Sequence, residues 1–312
     1  MRKPIHTAVL LGTQRFDTTL ERAVSEVHDQ GPIAAVTCGW REREEEDEAL
    51  RQHLGVELIN LHLRRRKQEV FRRDKELAQA HQHRQQVLRH KQEFYLIRLQ
   101  YTLAAHRIIR GRSAPAEVRK AEEAASLAAL QRLDQYHLED CRQFLQQFDE
   151  EVGLAEHPEV RRHREEIQEI LSRCRSIAIA GGHVAAIANR LSFFGLPEAM
   201  DGHNLFAWSG GAMAITDRIV LYHDHPPQGP GAAEVLSPGM GWVPDIVVLP
   251  EPEKRLRKDG ERVSILASRF LPARSLAFPS GTHLTWRDGQ IISASGVWLL
   301  GPEGEIGELK TT

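Results

Sequence analysis

The residues whose types and spacing could do chemistry gather in the stretch FAWSGGAMAITD, Phe206 to Asp217. An apolar run stops at Ser209, two glycines follow at once, and an alanine-rich helical pattern begins. A serine on so tight a corner between strand and helix has the setting of a nucleophile elbow. There the turn lifts the hydroxyl out of the sheet and aims backbone N–H groups at the oxyanion it creates. The same residues also suit an ordinary strand-to-helix loop that needs glycine for its backbone angles. A serine hydroxyl needs a base within hydrogen-bond reach, and the chain offers sixteen histidines. His183 directly follows the glycine pair Gly181–Gly182, His223 and His225 flank Asp224 in an HDH triplet, and His283 sits in the turn-like SGTHLTW. Each of these has a structural or surface role as its alternative reading. The triplet could set two imidazoles on one strand face as metal ligands, but no third ligand stands at a readable spacing. No metal and no cofactor is therefore expected.

Composition bounds what the site can belong to. The chain has 312 residues, 41% hydrophobic and 27% charged, enough for one large or two ordinary domains with buried cores. A net charge of -2 implies no global pull toward nucleic acid or an anionic membrane. Cys38, Cys141 and Cys174 are odd in number and far apart, which suits reduced thiols in a cytoplasm rather than a disulfide framework. The apolar run Ala8–Leu11 is too short for a signal sequence, and no window approaches a transmembrane length. A cytoplasmic protein is expected.

Three textures run along the chain. In residues 1–63, HTAVLLG reads as a buried strand and TTLERAVSEVHDQG as a helix. PIAAVTCGW then reads as a strand, EREEEDEALRQHLG as a helix and VELINLHL as a third strand. Such alternation predicts a parallel sheet covered on both faces. Residues 64–174 have helical texture only, in one long helix or two before the break at GRSAPAE and another after it. Residues 64–112 carry 14 Lys or Arg against 4 Asp or Glu. That asymmetry suits either an arm for an acidic partner or the solvated face of a helical hairpin whose halves attract each other. Without interleaved aromatics or a recognised motif, nucleic acid is not expected as a partner. From residue 175 the α/β texture returns: SIAIAGGH, VAAIANRLSFFG, LFAW, RIVLYHD, the Pro- and Gly-rich HPPQGPGAAEVLSPGMGW, and turns at WRDGQ and GPEGE.

The order AIAGGHVAAIANRLSFFGL, AWSGGAM, SPGMGWVPDIVVLPEPEKRLR and TWRDGQIISASGVWLLGPEGE resembles the dipeptidase E and cyanophycinase family of serine peptidases. Those proteins have a class I glutamine amidotransferase-like fold. The resemblance covers roughly 1–63 and 175–312. It implies a flavodoxin-like three-layer α/β sandwich with a mostly parallel sheet, interrupted by the helical insertion 64–174. It further implies Ser209 as nucleophile, and Gly210 with the Gly181–Gly182 turn as the oxyanion hole. Asp217 becomes the carboxylate that orients a histidine, although a helix-surface charge would look the same. At the position where the family carries its histidine, this chain has Glu251 or Pro252. Gly210 stands where alanine is usual, which predicts a looser turn.

Two functions are compatible with this pattern. One is a serine hydrolase acting on a peptide-like amide, with a displaced base, His183 first and Glu251 second. A carboxylate base would need burial to raise its pKa toward neutrality. The other is a catalytically inactive relative that binds a peptide-like small ligand in the pocket and a protein partner through the 64–174 helices. Glutaminase chemistry is disfavoured because Ser209 stands where that chemistry needs cysteine.

Overall fold

The computed structural model describes residues 5–15, 18–28, 30–200, 202–225 and 231–311. The run TAVLL forms β1 (Thr7–Leu11), buried at all five positions, as a strand covered on both faces must be. Helix α1 (Leu20–Val27), β2 (Ile33–Val36), a 3-10 turn over Cys38–Arg43, α2 (Glu48–Leu54) and β3 (Leu58–Asn60) follow. Four helices come next: α3 (Leu63–Arg73), α4 (Lys75–Arg110), α5 (Ala116–Val152) and α6 (Pro158–Arg173). The chain then runs through β4 (Ser176–Ile179), α7 (Val184–Phe193), α8 (Leu196–Ala199), β5 (Asn204–Trp208), α9 (Gly210–Ala214) and β6 (Arg218–Leu221). It continues with β7 (Glu234–Pro238), β8 (Ile246–Pro250), α10 (Pro252–Arg255), α11 (Gly260–Arg269) and β9 (Arg274–Phe278). Strands β10 (His283–Arg287), β11 (Gln290–Ser295), β12 (Trp298–Leu300) and β13 (Ile306–Glu308) close it.

The central sheet has seven strands in the order β11-β10-β1-β5-β4-β2-β3, with β1, β5, β4, β2 and β3 parallel and β10 and β11 an antiparallel edge. Successive side chains of each strand serve opposite cores. Ala8, Leu10, Ile177, Ile179, Leu205 and Ala207 face α3, α6 and α7. Val9, Leu11, Ala178, Ala180, Phe206 and Trp208 face α1 and α2. The protein is thus an α/β structure with helices on both faces of a mostly parallel sheet.

A single continuous sheet, expected from the alternating pattern, does not form. Strands β13-β12-β9-β8 make a second sheet and β6-β7 a third. Beside β1 there is no place for β8, because β5 occupies one flank of β1 and β10 the other. Strands β6 to β9 instead share a separate core with Leu99 and Leu103 of α4, Leu130 and Leu138 of α5, and α11. The helix read over EREEEDEALRQHLG is also shorter than expected. Glu44 lies outside it because its carboxylate accepts the N–H groups of Arg64 and Arg65, at 2.7 and 2.9 Å, in the first turn of α3. The three cysteines are buried free thiols. The HPPQGP segment lies, from residue 226 on, outside the described residues.

Candidate functional site

Central strand β5 ends at Trp208, and α9 begins two residues later, so one residue must turn the chain. That residue is Ser209, at φ 51 and ψ -120. Backbone in this region is favourable for glycine alone and costs other residues about 1–3 kcal/mol, so it persists only where the surroundings enforce it. The glycines around it explain how the turn fits. A Cβ on Gly210 would lie 2.4 Å from the Gly182 carbonyl oxygen, and one on Gly181 would lie 2.9 Å from Cβ of Ser209. Gly182 has φ +116, and its Cβ would meet the Gly39 carbonyl at 2.5 Å. Gly210 is therefore a site of close backbone approach, which corrects the expectation of a loosened turn. The structure brings Ser209, Gly181, Gly182 and Gly210 together at the carboxyl ends of β4 and β5.

Ser209 opens onto a cavity of about 410 Å³ that it shares with Gly182, Gly210, His223, Glu234 and Arg255. Glu234, the first residue of β7, is half-buried, and burial pushes its carboxyl above the ordinary value of 4.5. It also lines a neighbouring cavity of about 680 Å³ with Arg107, Asp224 and Arg262. Leu221 of β6 pairs with Glu234, so the register carries His223, two residues further on, along the same side of the hairpin. Sequence reasoning missed Glu234. Its only signal is a carboxylate entering an apolar strand, AAEVL, directly after the Pro- and Gly-rich loop.

The other expected residues lie elsewhere. His183 is exposed, caps α7 and accepts the Ala186 N–H at Nδ1 (3.2 Å). It is absent from the residues around the Ser209 cavity and lines a different one of about 480 Å³, together with Arg41, Arg64, Lys67 and Arg190. Burial and the positive charge of Arg41 lower its pKa. Among the described residues Asp217 orients no histidine: its carboxylate accepts the Asp245 N–H at 2.9 Å and holds the turn into β8. Glu251 caps α10 and pairs with Lys254 at 3.2 Å and Arg255 at 2.8 Å. Burial alone would raise its pKa, but the hydrogen bonds from Lys254 and Arg255 outweigh it and hold the carboxyl below its usual value. The raised pKa required of Glu251 as a base is therefore contradicted.

His223 reaches the cavity, but its Nδ1 accepts the His225 N–H at 3.1 Å. A neutral imidazole that accepts at Nδ1 carries its proton on Nε2, leaving no lone pair there for a serine proton. His183 is constrained in the same way. Asp224, between His223 and His225, is buried in an ion pair with Arg262. His283 lies in β10, not in a turn, opposite Leu11 of β1.

No protein-family model matches the chain, and no curated protein sequence matches it. Among solved structures, one titled "Crystal structure of a peptidase from an acI-B1 Actinobacterium" aligns over 96% of this chain and 91% of that chain, at 15% identity and a TM-score of 0.46. A likeness of that size carries no argument about activity, so the functional reading rests on the site itself. Among the described residues, no helix is long and apolar enough to cross a membrane.

Proposed function

We propose that the protein is a serine hydrolase of the dipeptidase E and cyanophycinase type, acting on a peptide-like amide, with Ser209 as nucleophile and Glu234 as its base. The observation that carries this reading is the backbone of Ser209. A non-glycine residue at φ 51 and ψ -120, between a central parallel strand and a helix, is the strained corner that nucleophile elbows use. Attack by the hydroxyl on an amide carbonyl would form a tetrahedral oxyanion. The N–H of Gly210 and one from the Gly181–Gly182 turn are its donors in this reading. Glu234 meets the condition earlier set for a carboxylate base, a partly desolvated carboxyl with a raised pKa in the serine's own cavity. It would take the serine proton during attack and return it to the leaving amine. Arg255, paired with Glu251, lines the same cavity. In this reading 1–63 and 175–312 form a flavodoxin-like α/β domain, and 64–174 is a helical insertion whose α4 lines the neighbouring cavity that Glu234 also borders.

The protonation pattern of His183 and His223 favours a second reading, a binding protein that keeps the pocket without the chemistry. Labelling with a fluorophosphonate probe separates the two. The hydrolase reading expects labelling of the wild type, loss in Ser209→Ala and in Glu234→Gln, and retention in His183→Ala and His223→Ala. The labelling rate should climb with pH through a pKa above 4.5 as Glu234 ionises. Absence of labelling of the wild type between pH 4 and 8 would leave the binding protein standing.

A further inference from the structure

Helix α4 has two apolar stripes, and only one of them is used. Tyr95, Leu99, Leu103 and His106 are buried against α5 and the sheet behind it. On the opposite side Phe94, Ile97, Tyr101 and Ile108 are 66, 53, 70 and 67% exposed, with exposed Ala104 and Ala105 between them. Their spacing alternates three and four residues (94, 97, 101, 104, 108), which is the a/d repeat of a coiled-coil seam. An ordinary surface helix is polar on its outer side, so a heptad stripe of this kind on a helix already packed through its other face marks a missing helix. Over Phe94–Ile108 the stripe runs about 21 Å, four turns of helix. Tyr136 of α5, half-exposed beneath the Arg98 guanidinium at 5.1 Å, widens it with the aromatic and arginine character common at interface centres.

We propose that this face is the dimer interface of the protein and that its occupant is α4 of a second copy, antiparallel about a twofold axis at Tyr101. The stripe is its own complement in that arrangement. Tyr101 meets its counterpart, Phe94 meets Ile108 of the second copy, and the large Ile97 meets the small Ala104 and Ala105. Charge fits this direction. Glu93 and Arg107 flank the seam on one side, and both are exposed. Antiparallel pairing sets each Glu93 beside Arg107 of the second copy, giving two opposite-charge contacts by symmetry.

Sedimentation equilibrium on the full chain and its variants tests this. The wild type should sediment at twice its 35.3 kDa chain mass at micromolar concentration. Tyr101→Glu and the double variant Ile97→Glu/Ile108→Glu should be monomers with unchanged circular dichroism, since these side chains contribute nothing to the monomer core. Glu93→Arg and Arg107→Glu should each weaken the dimer by about tenfold, and the double variant Glu93→Arg/Arg107→Glu should recover wild-type association. A wild type that stays monomeric at 100 µM, a dimer indifferent to Tyr101→Glu, or a charge-swapped double variant no tighter than its singles would each overturn the proposal. The first result would leave a heterologous protein as occupant of the stripe, and the second would put the dimer on another face.

Discussion

Truncating Asp134 should unfold the connection between the helices and the candidate site more than any other single change in the shared core of α4, α5 and α11. Tyr95, Asp134 and Arg269 are all at most 2% exposed. Arg269 donates to both carboxylate oxygens of Asp134, from Nε and Nη2 at 2.6 Å each, and from Nη2 to Tyr95 Oη at 2.8 Å. Its Nη1 donates to the Ala233 carbonyl at 2.7 Å, while Tyr95 donates to Asp134 at 2.8 Å and accepts the Val235 N–H at 3.1 Å. Asp134→Ala removes the carboxylate that Arg269 bonds and leaves a buried guanidinium hydrogen-bonded to one carbonyl and one phenol. Breaking a buried pair by removing one partner costs about 3–5 kcal/mol, most of it the desolvation of the charge left behind. Removing both charges is different, because the desolvation cost leaves with them. Asp134→Leu/Arg269→Met should therefore be less destabilised than Asp134→Ala by about 2 kcal/mol.

Urea unfolding followed by circular dichroism gives each free energy, and the four corners of the Asp134/Arg269 cycle give the coupling. The same samples test function. Ala233 and Val235, both tied to this network, flank Glu234, so its loss should also slow fluorophosphonate labelling of Ser209. A cost below about 1 kcal/mol for Asp134→Ala, or a double variant equal to the sum of its singles, would refute the reasoning. It would mean that the guanidinium finds water or another acceptor once the aspartate is gone.

Two further outcomes follow from single positions. Gly210→Ala should cost about 1–3 kcal/mol and reduce labelling at Ser209, because its Cβ lands 2.4 Å from the Gly182 carbonyl and backbone must move to admit it; a melting temperature within 1 °C of wild type would contradict this. His81 is buried among Phe71, Phe148 and Phe193 and receives the Lys67 ammonium at 2.9 Å; burial first, then the charges of Lys67 and Arg84, push its pKa down to about 2. The unfolded chain takes up a proton below 6.5 that the folded chain refuses, so stability is complete above 6.5 and falls with acidification toward about 2. His81→Gln should flatten that fall by about 2 kcal/mol between pH 6.5 and 5, and urea titrations at the two pH values with the same slope in both proteins would remove His81 as a cause.

The parts of the fold legible in the sequence are those whose burial is symmetric. Strands β1, β2 and β5 are covered on both faces, so they appear as unbroken apolar runs. Pairing was less legible, because which strand takes the second edge of β1 depends on a segment, β10, that follows it by some 270 residues. The cap at Asp74 shows a different loss. Its carboxylate accepts the Leu77 N–H at 2.8 Å and starts α4, yet in the string RRDKEL it looks like one more charge in a basic helix.

The candidate site divides along the same line. Ser209 and the three glycines were readable because their demand is local: a turn of two residues either has room for a Cβ or it does not. The proposed base was not readable, since its position depends on contacts between distant segments. The path to Glu234 passes through Tyr95 of α4, Asp134 of α5 and Arg269 of α11, which together grip the backbone on both sides of it. The histidine that sequence position suggests, His183, directly follows the glycine pair but is committed to capping α7. A search by environment finds the carboxylate instead. The segment with the least resemblance to any hydrolase, the long pair α4 and α5, is thus the one that fixes the backbone on both sides of the proposed base. Substitutions there, far from Ser209 in sequence, should alter labelling more than substitutions of the histidines do.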